Sequence, residues 1–171
     1  MKNKVCCGFG HRQVYDPISP SLYKILENLI VKENCTVFMT GKSGEFDECF
    51  SSALFSLKRS YPHISVILVM PYLSKELNAY KTVYEHAYDE IVIPEISASA
   101  HYKAAIKLRN RWMIDHSDFV ISYLFRDFGG AYEAVKYASK QNKNVIDVLS
   151  SMDGCDKQKS LPDPEQVHQI F

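Results

Sequence analysis

Residues 64–70 read Ile-Ser-Val-Ile-Leu-Val-Met and end at Pro71. An almost unbroken apolar run of this length is typical of a strand that is covered on both faces, as the strands of a parallel sheet are. Before and after it, five more short apolar runs alternate with segments of helical periodicity. We therefore predict an α/β fold: a Rossmann-like doubly wound, mostly parallel sheet with helices on both faces. The predicted strands are residues 5–8, 36–40, 64–70, 90–93, 119–124 and 144–149, and the predicted helices are residues 21–33, one from 46 that stops before Pro62, 74–86, 99–116 and 130–141.

The length and charge of the chain limit the number of its domains and the classes of its partners. Its 171 residues fit one domain, and the alternation of apolar runs with helical segments stops near residue 150. We predict a single domain over residues 1–150 and a C-terminal tail over 151–171. The 20 Lys and Arg balance the 20 Asp and Glu, which argues against a nucleic-acid partner because such proteins normally carry a basic excess. Without a membrane-spanning run or a cleavable leader, the chain is expected to be cytoplasmic and to have no membrane partner.

The cysteine pattern predicts no metal site, and we expect no cofactor. The five cysteines are an odd number and form no CxxC pair, which argues against both a disulfide framework and zinc. Cys6 and Cys7 are neighbours in a predicted strand, so their side chains should point to opposite faces of the sheet. Buried, reduced thiols are the expected state, and a reactive thiol is the alternative.

Three glycine-containing loops follow predicted strands, where open α/β sheets bind their ligands. In the first loop, two glycines allow close approach of a ligand, and a histidine and an arginine offer donors. The second and third loops lead into helix N-termini, whose free N–H groups favour anions. Ordinary turns are the alternative interpretation of each loop. The candidate ligand-binding residues of the loops are Gly8, Gly10, His11, Arg12, Gly41, Gly44, Asp47, Gly129, Gly130 and Ala131.

An arginine in the helix 99–116 is the remaining candidate. Arg109 shares a helical stripe with Tyr102, Ile106 and Met113, the face that should turn inward. A buried charge is costly without a partner, which a phosphate or a carboxylate would provide. Arg111 is also a candidate ligand-binding residue, although in a regular helix it points away from that stripe and a solvated charge is its alternative interpretation.

Together these stretches resemble the SLOG superfamily, over residues 4–149. The superfamily includes the Lonely Guy nucleotide phosphoribohydrolases, the DNA-processing protein DprA and the YpsA/DUF1273 group. Residues 7–12, Cys-Gly-Phe-Gly-His-Arg, are most similar to the YpsA/DUF1273 branch. Arg109, Met113 and Asp118 keep the spacing of the Lonely Guy pattern, and Arg111 falls where that family has lysine. The resemblance implies a role in catalysis and phosphate binding for Arg109, and it implies a homodimer.

The chain departs from that pattern after the fifth predicted strand. Tyr132 stands where the family has its third glycine, and Lys136 replaces the catalytic glutamate. Lysine cannot stabilise the oxocarbenium ion that forms when an N-glycosidic bond breaks. Glu133 is therefore the candidate catalytic carboxylate beside Arg109, although its Cβ is expected to leave the helix on a different side from that of Lys136. The resemblance thus implies a phosphate-binding scaffold whose hydrolase machinery is lost or remodelled.

The leading hypothesis is a SLOG-type protein that binds a nucleotide or a related small phosphate ligand, as a sensor or accessory protein. The alternative is a nucleoside 5′-monophosphate phosphoribohydrolase that uses Glu133 or Asp47 as a remodelled carboxylate. The other hypotheses are DNA binding in the manner of DprA and a domain that serves only protein interaction. The neutral charge balance makes DNA binding the least favoured of these hypotheses.

Overall fold

A six-stranded parallel sheet forms the centre of the molecule. The computed structural model describes residues 2–156, and the side chains of 153–156 are not part of that description. The strands lie in the order β4-β3-β2-β1-β5-β6, and all neighbouring pairs are parallel. The predicted fold class is thereby confirmed. The strands are β1 Lys4–Gly10, β2 Cys35–Thr40, β3 Ser65–Val69, β4 Glu90–Val92, β5 Phe119–Tyr123 and β6 Asn144–Asp147.

Helices cover both faces of the sheet. The helices are α1 Ser19–Glu33, α2 Glu45–Ser60, α3 Lys75–Ala79, α4 Lys81–Ala87, α5 Glu95–Ala98, α6 Tyr102–Asp115, α7 Gly130–Lys140 and α8 Val148–Asp156. Helices α1, α2 and α8 pack on one face, and α6 and α7 pack on the other. Cys6 belongs to the core under the first group and Cys7 to the core under the second. Their opposite orientations, predicted from strand geometry, are confirmed.

Strand order reverses between β1 and β5. From β1 the chain adds β2, β3 and β4 in one direction, then returns to place β5 on the other side of β1. The crossovers on the two sides of this point run over opposite faces of the sheet, so a crevice opens outside the carboxyl ends of β1 and β5. The two loops that begin at Gly10 and Tyr123 therefore border the same space.

Several element boundaries differ from the sequence-based prediction. The predicted helix 74–86 is divided at Tyr80 into α3 and α4, and Ser74 caps α3 by accepting a hydrogen bond from the Leu77 N–H. The predicted helix 99–116 begins later, at Tyr102, after a short helix α5 that was not predicted. The last strand stops at Asp147 because its carboxylate accepts from the N–H groups of residues 149 and 150 and starts α8.

The predicted domain boundary near residue 150 falls within α8. Residues 157–171 of the predicted tail lie outside the described residues, so the division into a domain and a tail stays a prediction. No helix within residues 2–156 has the length and apolar character needed to cross a membrane.

Candidate ligand-binding cleft

A cleft of about 530 Å³ lies at the carboxyl ends of β1 and β5, where strand order reverses. Its walls are the turn after β1, the loop after β2, one side of α6, and the loop after β5 with the first three turns of α7. Of the residues predicted from sequence, all but Gly44 line it: Gly8, Gly10, His11, Arg12, Gly41, Asp47, Arg109, Arg111, Gly129, Gly130, Ala131 and Glu133.

Arg109 carries the buried charge of the cleft. Its side chain is 4% exposed, and its Nη1 donates a hydrogen bond of 2.8 Å to the carbonyl of Val69. Its Nε is buried and has no hydrogen-bond partner. None of the ion pairs found within residues 2–156 involves Arg109. Burial lowers the pKa of this guanidinium, while the nearby Asp47 carboxylate opposes that shift.

The loop after β2 brings Gly41 and Asp47 to Arg109. A Cβ at Gly41 would lie 2.5 Å from Nη1 of Arg109 and 2.9 Å from Oδ2 of Asp47. Only glycine leaves room for the guanidinium at this point. Asp47 Oδ2 accepts a 2.7 Å hydrogen bond from the Ser43 N–H, and burial raises the pKa of this carboxyl although that bond and Arg109 oppose the rise.

Gly44 has a structural role in the same loop. Its φ is +154°, and a Cβ there would lie 2.6 Å from the Cα of Arg12. Beside it, the Glu45 N–H donates to the Arg12 carbonyl at 2.8 Å. The absence of a side chain at residue 44 thus lets the second loop dock on the first. Gly44 does not line the cleft.

The glycines of β1 serve the packing of α2. A Cβ at Gly8 would lie 2.9 Å from the Phe50 ring, and a Cβ at Gly10 would overlap the Phe46 side chain. Packing against α2 is therefore one reason for these glycines, and close approach of a ligand, the reason expected from the sequence, stays a prediction. The side on which their Cβ is missing is occupied by α2, and only their backbones line the cleft.

His11 connects the first loop to the loop after β5 through a hydrogen bond. The ring is 3% exposed, and its Nε2 lies 3.2 Å from the carbonyl of Arg126. Because a carbonyl only accepts, Nε2 carries the proton in this hydrogen bond. Burial lowers the pKa of His11 below its ordinary value, which favours the neutral ring. His11 therefore positions the loop and has no free donor on Nε2 for a ligand.

The N-terminus of α7 opens into the cleft. No side chain caps this helix, and Gly129 at its start has a φ of +99° that favours glycine. A Cβ at Gly130 would meet no heavy atom within 4 Å. Packing therefore does not require glycine at residue 130. The uncapped N–H groups of this first turn, with the positive end of the helix dipole, are suited to an anion.

Charge is concentrated on the walls of the cleft. Eight cationic side chains line it against two carboxylates, although the whole chain is neutral. Sequence reasoning missed six of the charged or amide side chains involved. Four of them are lysines spaced four apart on α6 and α7, a pattern that would have indicated two basic helix faces. The missed residues are Lys103, Lys107, Asn110, Arg126, Lys136 and Lys140.

Asn110 is the missed residue with the most informative environment. It follows Arg109 on α6, lines the cleft, and its Oδ1 is buried without a hydrogen-bond partner. Two adjacent residues on α6 thus each keep an unpaired polar atom at the same wall. Buried polar groups in proteins are almost always paired. A ligand would need an acceptor to pair the Arg109 Nε and a donor to pair the Asn110 Oδ1.

The position of Glu133 on α7 differs from the one expected from the sequence. Glu133 and Lys136 both line the cleft, so Glu133 does not face a different side from Lys136. Tyr132 does not line the cleft, and its ring lies 5.9 Å below the Lys136 ammonium. Arg111, for which a solvated charge was the alternative, is exposed, lies over the Tyr137 ring and still borders the cleft.

Comparison with known proteins shows the fold and gives one distant relative. No family model matches the chain. An uncharacterized SPbeta prophage-derived protein, YoqJ of Bacillus subtilis strain 168, is 26% identical over an alignment of 141 residues, which covers 72% of this chain and 81% of that protein.

Among solved structures, the chain is similar to two DNA processing A proteins (DprA). The protein from Streptococcus pneumoniae gives a TM-score of 0.59 at 16% identity and covers 92% of this chain, which spans only 57% of that protein. The protein from Helicobacter pylori gives 0.58 at 16% identity, with 90% of this chain and 73% of that protein covered. The H. pylori structure is described as showing a single-stranded DNA binding mode.

The expectation against a nucleic-acid partner is wrong. It rested on the neutral charge balance, yet one solved protein of this fold binds single-stranded DNA. The physical reason is that a net charge averages over the whole surface. Here the opposite charges are separated, and the cationic side chains collect in one cleft.

Proposed function

We propose that this protein binds the phosphate of a nucleotide or nucleotide derivative in the cleft between β1 and β5, as a SLOG-type sensor or accessory protein. The observation that carries the proposal is Arg109, a buried cation at the cleft wall that forms no ion pair with any described side chain. The similarity of residues 7–12 to the YpsA/DUF1273 branch belongs to the same proposal, as does a binding unit made of residues 1–150.

The energetics of Arg109 support an anionic ligand. Removing a guanidinium from water costs several kcal/mol unless a counter-charge and hydrogen bonds replace the lost hydration. Within the described protein, Arg109 makes one hydrogen bond, to a neutral carbonyl. The Asp47 carboxylate lies near and favours the charged guanidinium, but it forms no ion pair with Arg109 within residues 2–156. A phosphate would supply both the charge and the missing acceptors.

The N-terminus of α7 supports a phosphate in particular. Residues 129–131 present N–H groups at an uncapped helix start, and open space lies where a side chain of residue 130 would stand. The carboxyl-end crevice of a doubly wound sheet is also where such folds bind nucleotides. Arg109 and the α7 amides would hold the phosphate between them.

The phosphoribohydrolase alternative has no observation in its favour. Glu133 is exposed at the cleft wall, but Lys136 lines the same wall one turn further along α7. A positive charge there opposes the positive charge that develops on the ribose in the transition state. The proposal is therefore a binding protein, with Glu133 as a wall residue.

A second candidate function is binding of single-stranded DNA, and the charge distribution favours it. Eight cations along one cleft form a positive groove of the kind that follows a nucleic-acid backbone. The similarity in fold to the H. pylori DprA, whose structure is described for its single-stranded DNA binding mode, adds to this support.

Calorimetric titration separates these functions. The wild-type protein is titrated with AMP, GMP, CMP and UMP, with the matching nucleosides, and with an oligothymidylate. Nucleotide binding predicts heat from at least one monophosphate and much weaker binding of its nucleoside. Single-strand binding predicts instead that only the oligonucleotide binds, with log K falling by about 0.7 per phosphate contact for each tenfold rise in salt. Equal binding of nucleoside and nucleotide would contradict the proposed phosphate site.

A further inference from the structure

Three large aromatic side chains are exposed together beside the cleft. Tyr15, Phe125 and Phe128 are 69%, 37% and 63% exposed. The guanidinium of Arg126 lies over two of these rings, with its Cζ 4.6 Å from the Phe128 centroid and 5.4 Å from the Phe125 centroid. We call these four residues the aromatic shelf.

Packing of the fold does not account for the shelf. None of the three rings belongs to a core cluster of the described residues. Phe125 is held from behind, since its ring meets that of His11 at 4.5 Å and that of Tyr15 at 5.1 Å, both edge-on. Phe128 has the Arg126 guanidinium over its ring. Contiguous exposed aromatic surface of this kind marks an interaction site.

The shelf is continuous with the proposed phosphate site. Arg126 lines the cleft, and its carbonyl is fixed by the hydrogen bond to His11. Phe128 precedes Gly130 by two residues, a distance that the chain spans in at most ~7 Å. A planar group on the shelf and an anion on the α7 amides are therefore close enough to belong to a single small ligand.

The side chains of the aromatic shelf favour an aromatic heterocycle as the planar group of the ligand. Exposed rings and a flat guanidinium bind an aromatic heterocycle by stacking and cation–π attraction. The adjoining cleft is cationic and binds an anion. A ligand with a flat heterocycle at one end and a phosphate at the other satisfies both surfaces, and a nucleotide has that form.

We infer that the aromatic shelf is the base-binding subsite of the cleft, with the nucleobase stacked on Phe128 and the Arg126 guanidinium. This inference rests on the proposed function, because it places the base of the nucleotide whose phosphate the cleft holds. It adds that affinity comes from the base as well as from the phosphate. Stacking is tolerant of base identity, so the shelf should accept several bases.

The test compares a nucleotide with a phosphate ligand that has no base. Wild type, Phe128→Ala, Phe128→Trp and the control Tyr80→Ala are titrated calorimetrically with AMP and with ribose 5-phosphate. Tyr80 is likewise an exposed aromatic residue, and it does not line the cleft. We expect Phe128→Ala to bind AMP roughly 5- to 100-fold more weakly, the range given by a lost base–aromatic stack. Its affinity for ribose 5-phosphate, the AMP affinity of Phe128→Trp and both affinities of Tyr80→Ala should be unchanged.

The outcomes separate this inference from the proposed function. Unchanged AMP affinity in Phe128→Ala overturns the base subsite and leaves the phosphate site standing. An equal loss for AMP and ribose 5-phosphate also overturns it, because Phe128 would then act only by shaping the loop. A wild-type protein that binds neither compound overturns the proposed function, and the base subsite with it.

Discussion

At the scale of the residue, the most informative positions are those with an unpaired polar atom or an unfilled space within the described part of the chain. Arg109 keeps an unpaired Nε, Asn110 keeps an unpaired Oδ1, and Gly130 faces open space. None of these features stabilises the folded chain. Each is explained if a ligand supplies the missing atoms, and all three belong to the wall of one cleft.

Gly130 gives the first prediction. In Gly130→Ala the new Cβ meets no protein atom, so stability should be unchanged or higher by up to about 1 kcal/mol through a less flexible unfolded chain. The same methyl group stands where a phosphate would approach the α7 amides, so nucleotide affinity should fall severalfold. Urea denaturation and calorimetry measure the two quantities. A variant that loses stability but keeps its affinity would show that residue 130 serves the fold.

Glu133 gives the second prediction. We expect no release of base from AMP or the other nucleoside monophosphates by the wild-type protein, because Lys136 lines the same wall and opposes the developing cation. Glu133→Gln should behave like the wild type when base release is followed by chromatography. Turnover in the wild type that this substitution abolishes would identify an enzyme with a displaced carboxylate.

At the scale of the element, the packing of α2 on β1 controls the position of the loops. The rings of Phe46 and Phe50 fill the space left by the missing side chains of Gly10 and Gly8. This close packing brings the start of α2 against the turn after β1, where the Glu45 N–H meets the Arg12 carbonyl. The first two loops of the cleft are thus held as a single rigid unit.

Gly10→Ala tests this packing and is matched to Gly130→Ala. Its Cβ would overlap Phe46, and overpacking of a core typically costs about 1–3 kcal/mol. We expect a loss of that size in the free energy of unfolding, measured in urea. An unchanged stability would mean that α2 moves away freely, and that the contact does not fix the loops.

The elements could be predicted from the sequence because apolar strands and proline stops are local signals. The run at residues 64–70 became β3, the central part of that segment. The break at Tyr80 had no local signal, since tyrosine is not a helix breaker. The packing of α2 against the glycines of β1 could not be predicted, because a sequence does not show which side of a glycine another element occupies.

At the scale of the whole molecule, separation of charge matters more than net charge. The chain is neutral, yet eight of its cationic side chains line one cleft. The lysines on α6 and α7 became a single surface only when the sheet placed these two helices side by side. Of the α6 stripe predicted to face inward, Arg109 and Met113 are buried, whereas Tyr102 and Ile106 are exposed. The burial of Arg109 was predictable because a cation on an apolar helical stripe is a local anomaly, whereas the cationic cleft required the tertiary structure.

Stability should also depend on pH through His11. Burial lowers its pKa below the ordinary value of 6.5, so the folded protein holds fewer protons on this ring than the unfolded chain does. The contribution of His11 to the free energy of unfolding is therefore complete above pH 6.5, and it is lost as the pH falls toward the pKa of His11 in the folded protein. We expect the free energy of unfolding to decrease between pH 7.5 and about pH 5.5, and to decrease less in His11→Gln. Parallel pH profiles for the two proteins would remove His11 as the cause.

The central claim is that the cleft binds a nucleotide through its phosphate at Arg109, and Arg109→Met tests it most directly. Methionine keeps an unbranched apolar stem and removes the charge. The melting temperature should change little, because the cost of desolvating a buried cation disappears while the Val69 carbonyl loses its hydrogen-bond donor. The affinity for the nucleoside monophosphate that the wild type binds should fall about tenfold or more, since hydrogen bonds to charged groups contribute ~1.5–3 kcal/mol. Arg59→Ala, at an exposed arginine outside the cleft, should change neither quantity. A variant at Arg109 that binds the nucleotide as tightly as the wild type would contradict the account.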